Sequence, residues 1–284
     1  MVTGASGGLG QWVIKELLAN SHSVVGVDLR PPSKALCPSL IVDLTNASEA
    51  YSAISDTRPE GIVNLAAFPK PGITSARRTF LTNVETAYNV FEAAAALGVK
   101  KVVHASTDSS YGLIFAKHPI TPLYLPIDED HPQCPQDCYG GSKMLNEYTA
   151  RIFAAANPQM QFTCIRICWL FAPDELANFS PSDDTLESVC SLANGLFAYI
   201  EMRDAAAGFR LAMEKDMPGF DVFNIMANDT LTVIETKRLV AHYYPNTEVR
   251  KEFNGNEGLY STEKAARVLG WRQQYTWRKS NNEV

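Results

Sequence analysis

Short β-branched or aliphatic runs alternate with longer amphipathic stretches along most of this chain, and that alternation predicts its elements in order. Residues 1–3 open as a strand. From residue 8 onward Trp12, Val13, Leu17 and Leu18 form one apolar stripe at helical spacing. A β-rich run at 23–27 ends on Asp28, the chain breaks at Arg30, Pro31 and Pro32, and residues 40–44 read as a third strand before a helix that runs to about 56. Residues 61–67 form a buried strand closing in small side chains. Residues 79–97 are a helix, with four alanines at 93–96 and Gly98 as its stop, and 100–106 are a fifth strand. Strand and helix have by then alternated four times, the pattern of a parallel sheet.

A long connection at 111–137 follows, with prolines at 119, 122, 126, 132 and 135, and a loop of that length normally covers a site. A helix at 139–156 stops before Pro158, and 162–169 make a sixth strand. From 172 to 198 the chain turns polar and acidic, as a substrate lid would. Beyond it come a helix at 204–215, a strand at 222–225, a helix at 232–244 and a last helix at 262–269 stopped by Gly270. The fold class this predicts is α/β: a Rossmann-type doubly wound parallel sheet over 1–170, with 171–284 mostly a small C-terminal substrate-binding lobe that returns some elements to the sheet. In such a sheet the first strand is central, yet only three residues precede the first turn. Either that strand is very short or the recorded start lies inside the natural one.

Chemistry concentrates at the strand ends. Gly4, Gly7 and Gly10 are spaced Gly-x-x-Gly-x-x-Gly, with Gly8 between them, where strand gives way to helix. Glycine allows positive φ and close backbone approach, and the free N–H groups opening the helix suit a pyrophosphate, so the ligand predicted is a dinucleotide. Asp28, ending the second strand, is placed to accept hydrogen bonds from an adenosine ribose and disfavours a 2′-phosphate, which points to NAD rather than NADP. Asp43 would sit at the end of the third strand, as an adenine contact or as a helix cap before Ala47.

Tyr139 and Lys143 stand four apart at a helix start, on one face. A hydroxyl-rich strand end, Ser106-Thr107-Asp108-Ser109-Ser110-Tyr111-Gly112, would meet them at the carboxyl edge of the sheet. A phenol acting as a base near pH 7 needs its pKa lowered by about three units, or roughly 4 kcal/mol, and an ammonium four residues on can supply part of that. A net charge of −6 without any basic cluster argues against a nucleic-acid partner. No apolar run reaches the ~20 residues of a membrane span, and nothing at the amino terminus reads as a signal, so a soluble, cytoplasmic protein is expected. The six cysteines and five histidines show no zinc spacing, and neither a metal nor a structural disulfide is predicted.

From Thr3 to Trp271 the chain resembles the extended short-chain dehydrogenase/reductase family, also called the NAD-dependent epimerase/dehydratases. The resemblance is carried by the glycine turn, Asp28, Asn64-Leu65-Ala66-Ala67, Asn83, Tyr111-Gly112, Tyr139-x-x-x-Lys143, Arg166, Phe223-Asn224 and the closing helix at 264–271. It implies that Tyr139 is the general acid/base, Lys143 its activator and the holder of the nicotinamide ribose, and Thr107 the hydroxyl on the reacting oxygen, with Ser106 adjacent. It implies NAD contacts at Gly4, Gly7, Gly8, Leu9, Gly10, Asp28, Asp43, Leu44, Leu65, Ala66, Ala67, Asn83, Tyr139 and Lys143. It also implies a homodimer through the helices at 79–97 and 139–156, using Phe80, Val84, Tyr88 and Phe91 with Met144, Leu145, Tyr148, Ile152 and Phe153.

Departures from the family pattern divide the possible activities. Ser109 stands where sugar-nucleotide dehydratases carry glutamate, and Trp169 where nucleotide-sugar epimerases usually carry asparagine. The lid at 172–198 has no Lys or Arg but contains Asp174, Glu175, Asp183, Asp184 and Glu187, a set that would repel a diphosphate. The reading these favour is a dehydrogenase of a small sugar or sugar acid, similar to the uronate-dehydrogenase-like branch, with Lys70, Arg77 and Arg78 able to supply positive charge from the opposite wall. A UDP-glucose 4-epimerase-like activity is the alternative. A non-catalytic NAD sensor or scaffold ranks lower because Tyr139 and Lys143 are both present.

Overall fold

The computed structural model describes residues 1–181 and 184–278. The elements run β1 (Val2–Thr3), α1 (Gly8–Ala19), β2 (Gly26–Asp28), β3 (Ser39–Ile41), α2 (Ala47–Thr57), β4 (Gly61–Asn64), α3 (Ala76–Ala96) and β5 (Lys101–Thr107). After β5 a short 3₁₀ turn spans Asp108–Tyr111, followed by β6 (Tyr124–Leu125), α4 (Cys138–Ala156), β7 (Gln161–Ile167), β8 (Leu170–Phe171) and α5 (Pro173–Ala177). The remainder is α6 (Cys190–Ala193), β9 (Ile200–Glu201), α7 (Met202–Glu214), β10 (Gly219–Ile225), α8 (Thr236–Tyr243), β11 (Glu248–Val249) and α9 (Glu263–Leu269).

Seven strands form one sheet in the order β3-β2-β1-β4-β5-β7-β10, and every pair in it is parallel. The order reverses between β1 and β4, the position at which open α/β sheets leave a crevice at their carboxyl ends. Successive residues of a strand point to opposite faces, and β5 shows what this does for the core. Val103 and Ala105 join the cluster under α1 and α7, built on Val13, Ile14, Leu17 and Phe209, whereas Val102 joins the cluster under α2, α3 and α4, built on Ile54, Val90, Phe91 and Ala150. One sheet therefore serves two separate hydrophobic layers.

β1 is only two residues long but pairs with both neighbours, Val2 opposite Gly26 and Val63, and the Met1 ammonium donates to the Gly61 carbonyl. The third strand lies earlier than predicted, at Ser39–Ile41, and residues 42–44 bend away toward the sheet's carboxyl edge. α3 starts three residues before its predicted start because Ser75 caps it, accepting from the Arg78 N–H. The proline-rich connection contributes β6, which pairs with β11 from the C-terminal part, and β8 pairs with β9. β10 completes the sheet edge and α7 packs on α1, so the chain beyond 171 supplies sheet elements as well as the lobe. Of the side chains named for a dimer face, Phe91 is a core residue with no exposure; the exposed apolar groups on α3 and α4 are Leu81, Tyr88, Leu145, Tyr148 and Ile152. Among the described residues no helix is long and apolar enough to cross a membrane.

Candidate active site

A cleft of about 920 Å³ opens at the carboxyl edge of the sheet, lined from one end by the glycine turn after β1 and from the other by the ends of β5 and β7. Gly4 takes φ +66°, and a Cβ on Gly10 would fall 2.2 Å from the Gly4 carbonyl oxygen, so α1 can start this close to the turn only with glycine there. Side chains of Asn46, Ser75 and Asp137 cap α2, α3 and α4. α1 has Gly7 at its cap position and no side-chain hydrogen bond, which leaves its first-turn N–H groups and the positive end of its dipole for a ligand in the cleft.

Asp28 closes β2, with Oδ2 accepting the Ser6 N–H at 3.0 Å and Oδ1 the Arg30 N–H at 3.3 Å. Each oxygen keeps a second acceptor site, and the side chain lines the cleft. Asp43 and Leu44 line it too, but Asp43 is not the cap of α2. Its Oδ1 accepts from the Thr45 N–H and hydroxyl at 2.9 and 2.7 Å, and Asn46 does the capping instead. Leu65, Ala66 and Ala67 form the wall after β4. Thr3 fixes that wall, its hydroxyl accepting the Leu65 and Ala66 N–H groups and donating to Asn64 Oδ1 at 2.6 Å.

Asn83 is the one expected cofactor contact that the cleft does not include. It is buried, with Oδ1 taking the Phe68 N–H at 2.8 Å and Nδ2 donating to the Phe68 carbonyl and the Ser142 hydroxyl. Its amide ties the connection after β4 to α4, so its side chain supports the wall from behind.

At the other end α4 brings in Tyr139 and Lys143. Asp137 Oδ1 accepts the Tyr139 and Gly140 N–H groups, and a Cβ on Gly140 would sit 2.5 Å from the Ser109 carbonyl oxygen. Glycine there lets the first turn of α4 lie against the 3₁₀ turn that follows β5, which brings the Tyr139 phenol near the Thr107 hydroxyl. Thr107 also contacts Asp108 Oδ1 at 3.1 Å and Ser109 Oγ at 3.2 Å. Ser106 is differently committed, donating to Glu147 Oε1 at 2.5 Å. Lys143 Nζ donates to the Ala105 carbonyl at 2.8 Å. Burial raises the Tyr139 phenol above its ordinary value, an effect the neighbouring Thr107 hydroxyl partly opposes, and lowers Lys143 to about 8.

The lid differs from its predicted behaviour. Its contribution to the cleft wall is Ser191, Leu192, Asn194, Gly195, Phe197 and Ala198, next to Trp169 and Leu170. Asp174, Glu175, Asp184 and Glu187 are not in that wall, and Asp183 lies outside the described residues. Of the three cations proposed to compensate, Lys70 lines the cleft and Arg77 and Arg78 do not. Sequence reasoning missed Asp108 and Met202 as cleft residues. Asp108 directly follows Thr107 and could have been found from that adjacency; Met202 approaches the glycine turn from α7, with no local signal.

Residues 1–225 match the NAD dependent epimerase/dehydratase family, and the chain belongs to it. The family's cofactor is NAD, and relatives of the chain include sugar dehydrogenases and UDP-glucose 4-epimerases. The chain is 28% identical over 250 residues to an L-arabinose 1-dehydrogenase (NAD(P)(+)) of Haloferax volcanii, covering 85% of this chain and 94% of that one. It is 25% identical over 312 residues to a UDP-glucose 4-epimerase of Corynebacterium glutamicum, covering 97% and 91%. The fold is similar to that of an NAD-bound short-chain dehydrogenase/reductase superfamily protein from Agrobacterium tumefaciens, with a TM-score of 0.71 at 22% identity over 97% of this chain and 92% of that one. It is also similar to a mutated uronate dehydrogenase, with a TM-score of 0.67 at 23% identity over 97% and 81%.

Proposed function

We propose that this protein is an NAD-dependent dehydrogenase that oxidises a hydroxyl of a free sugar or sugar acid, with Tyr139 as the base. The observation that carries this reading is the cleft wall. The end that would face substrate is walled by Trp169, Ser191, Asn194 and Phe197 and receives no Arg among the described residues, whereas a nucleotide-sugar diphosphate calls for cationic partners. The similarity to an L-arabinose 1-dehydrogenase over most of both chains points the same way.

NAD, when bound, supplies the hydride acceptor. Gly4, Gly7, Gly8, Leu9 and Gly10 would hold its pyrophosphate, Asp28 its adenosine ribose, Asp43 and Leu44 its adenine side, and Leu65, Ala66 and Ala67 the flat face of its inner half. Thr107 would donate to the oxygen of the alcohol while Tyr139 takes its proton. Burial alone works against phenolate, so Tyr139 needs positive charge nearby. Lys143, with a pKa near 8, is cationic at neutral pH and one helical turn away. The same ammonium, already anchored on the Ala105 carbonyl, would reach the nicotinamide ribose.

Incubation with NAD and a panel of free sugars, sugar acids and nucleotide sugars, followed at the NADH absorbance, tests the reading. A dehydrogenase accumulates NADH with a free sugar or acid. An epimerase returns its hydride, accumulates none and interconverts nucleotide sugars, and that result would replace this proposal with the epimerase one. Tyr139→Phe should lower turnover by at least about a thousandfold while NAD affinity stays within a few-fold, because it removes the proton-transfer group and keeps the ring. Comparable turnover in the variant would rule Tyr139 out as the base.

A further inference from the structure

Asp108 is the cleft-lining residue whose chemistry the triad does not use. It is 2% exposed at the start of the 3₁₀ turn after β5, with Oδ1 in contact with the Thr107 hydroxyl at 3.1 Å. Its Oδ2 is buried and has no hydrogen-bond partner among the described residues. A carboxylate oxygen is an obligatory acceptor, and native interiors leave very few such groups unpaired unless function requires it. The surroundings are equally specific. Asp108 interacts electrostatically with Tyr139, with Cys168 and with Tyr260, whose own buried phenol also lacks a partner.

The other charged residues of the cleft are Asp28 and Asp43 at the end of the glycine turn, Lys70, and Lys143, which is bonded to the Ala105 carbonyl. Among the described residues Asp108 is therefore the one carboxyl at the reacting end, next to the hydroxyl that would hold the reacting oxygen. Trp169, 57% exposed on the cleft wall, and the side chains of Ser191 and Asn194 offer a flat face and further polar contacts to a polyhydroxylated ring.

We propose that Asp108 selects the substrate: its free Oδ2 accepts a hydrogen bond from the hydroxyl vicinal to the one oxidised on an uncharged sugar, and its charge turns away sugar acids. This rests on the dehydrogenase reading above and narrows it to neutral sugars. A vicinal diol suits the geometry because Thr107 and Asp108 are consecutive, their side chains touch at 3.1 Å and both act on Tyr139, so one hydroxyl can meet Thr107 and Tyr139 while its neighbour meets Asp108. A substrate carboxylate at the same place would face a like charge without an arginine to pair with. Burial raises Asp108 to about 7, and a hydroxyl donated to Oδ2 would favour the ionised form.

The test compares wild type, Asp108→Asn and Asp108→Ser at saturating NAD, with L-arabinose and D-galactose as neutral sugars and D-galacturonate and D-glucuronate as acids, reading NADH. In both variants kcat/KM for neutral sugars should fall about tenfold or more, chiefly through KM, and the ratio of acid to neutral kcat/KM should rise about tenfold or more, while KM for NAD stays within about twofold. A purely structural role would lower both substrate classes in parallel, so an unchanged ratio in the variants overturns the proposal. The serine variant and a thermal melt guard against misfolding in the asparagine one. A wild type that prefers uronates overturns the proposal and leaves the dehydrogenase reading standing. A wild type that makes no NADH from either class overturns both.

Discussion

A buried carboxyl with one unpartnered oxygen beside a cleft has a thermodynamic signature separate from any activity. Burial raises Asp108 from 3.8 to about 7 in the folded protein. Between those values the unfolded chain has released its proton while the folded chain still holds it, so the unfolded state binds fewer protons and stability falls as pH rises. Each pH unit is worth about 1.4 kcal/mol for one group, and about three units make roughly 4 kcal/mol lost by pH 7 and level above it. Asp108→Asn removes the titration. Its amide oxygen can take the Thr107 contact, and its NH₂ is as unpartnered as the neutral acid's O–H, so the two proteins should be about equally stable near pH 4. The stability difference, read from urea denaturation at pH 5, 6, 7 and 8, should therefore favour the variant increasingly. It should gain about 2–3 kcal/mol between pH 5 and pH 7 and stay flat beyond. Taking the difference between the proteins cancels every other titrating group. A difference independent of pH, or a variant less stable than wild type at pH 8, would refute the reasoning.

Three further outcomes follow from the same geometry. Asp28→Ala should weaken NAD binding and shift the NAD/NADP preference toward NADP by about tenfold, measured as the ratio of the two dissociation constants; an unchanged ratio would mean that Asp28 does not meet the ribose. Gly10→Ala should reduce NAD affinity by more than about tenfold, because its Cβ would lie 2.2 Å from a backbone oxygen that cannot move aside; calorimetric titration with NAD checks it. A homodimer through α3 and α4 would cover Leu81, Tyr88, Leu145, Tyr148 and Ile152, the last 68% exposed, so light scattering should report a dimer that Ile152→Glu converts to monomer, and a monomeric wild type at micromolar concentration counts against it.

Much of the sheet is legible in the sequence because burial on both faces favours short stretches rich in β-branched and apolar side chains, as at residues 161–167, where all seven residues are buried and Phe162, Cys164, Ile165 and Ile167 are apolar. Legibility fails where that pressure is absent. The three residues of β3 are all exposed at the sheet edge, so Val42 and Leu44, which turn inward, drew the predicted strand toward themselves. The helix predicted at 232–244 begins only at Thr236. Residues 230–234 are held in a non-helical path by long-range bonds, Asn256 to the Ile234 carbonyl at 2.7 Å and Arg278 to the Thr230 carbonyl at 3.0 Å, which no local pattern announces. The pairing of β6 with β11 joins segments more than a hundred residues apart for the same reason. In the site, the glycine turn, Asp28 and the Tyr139/Lys143 spacing were legible because each is set by local geometry. That the Asn83 side chain lies behind the cleft wall, its amide taken by Phe68 and Ser142, is a fact of tertiary packing, and the place of the lid carboxylates was illegible because a charge in sequence says nothing of which wall it joins.

Two buried carboxyls near the site, Glu147 and Asp108, differ in how far their oxygens are engaged. Glu147 lies as deep as Asp108, and all its acceptors are engaged: Oε1 by Ser106 and Arg166 Nε, Oε2 by Arg166 Nη2 at 2.7 Å and Gln133 at 3.0 Å. Arg166 in turn donates to the Tyr111 hydroxyl, which donates to Asn224, so this pair locks β5, α4, β7 and β10 together. Removing either partner would strand a charge in the interior, which makes the pair a structural clamp and leaves it no free valence for a ligand. Ser106 is drawn into that clamp, and so the hydroxyl left to face Tyr139 is that of Thr107. One residue further on, Asp108 has a free oxygen; one helical turn beyond Tyr139, Lys143 has a single bond to a carbonyl. Both are shifted by burial toward neutrality, Asp108 up to about 7 and Lys143 down to about 8, and a hydrogen-bonding partner bound in the cleft would favour the charged form of each.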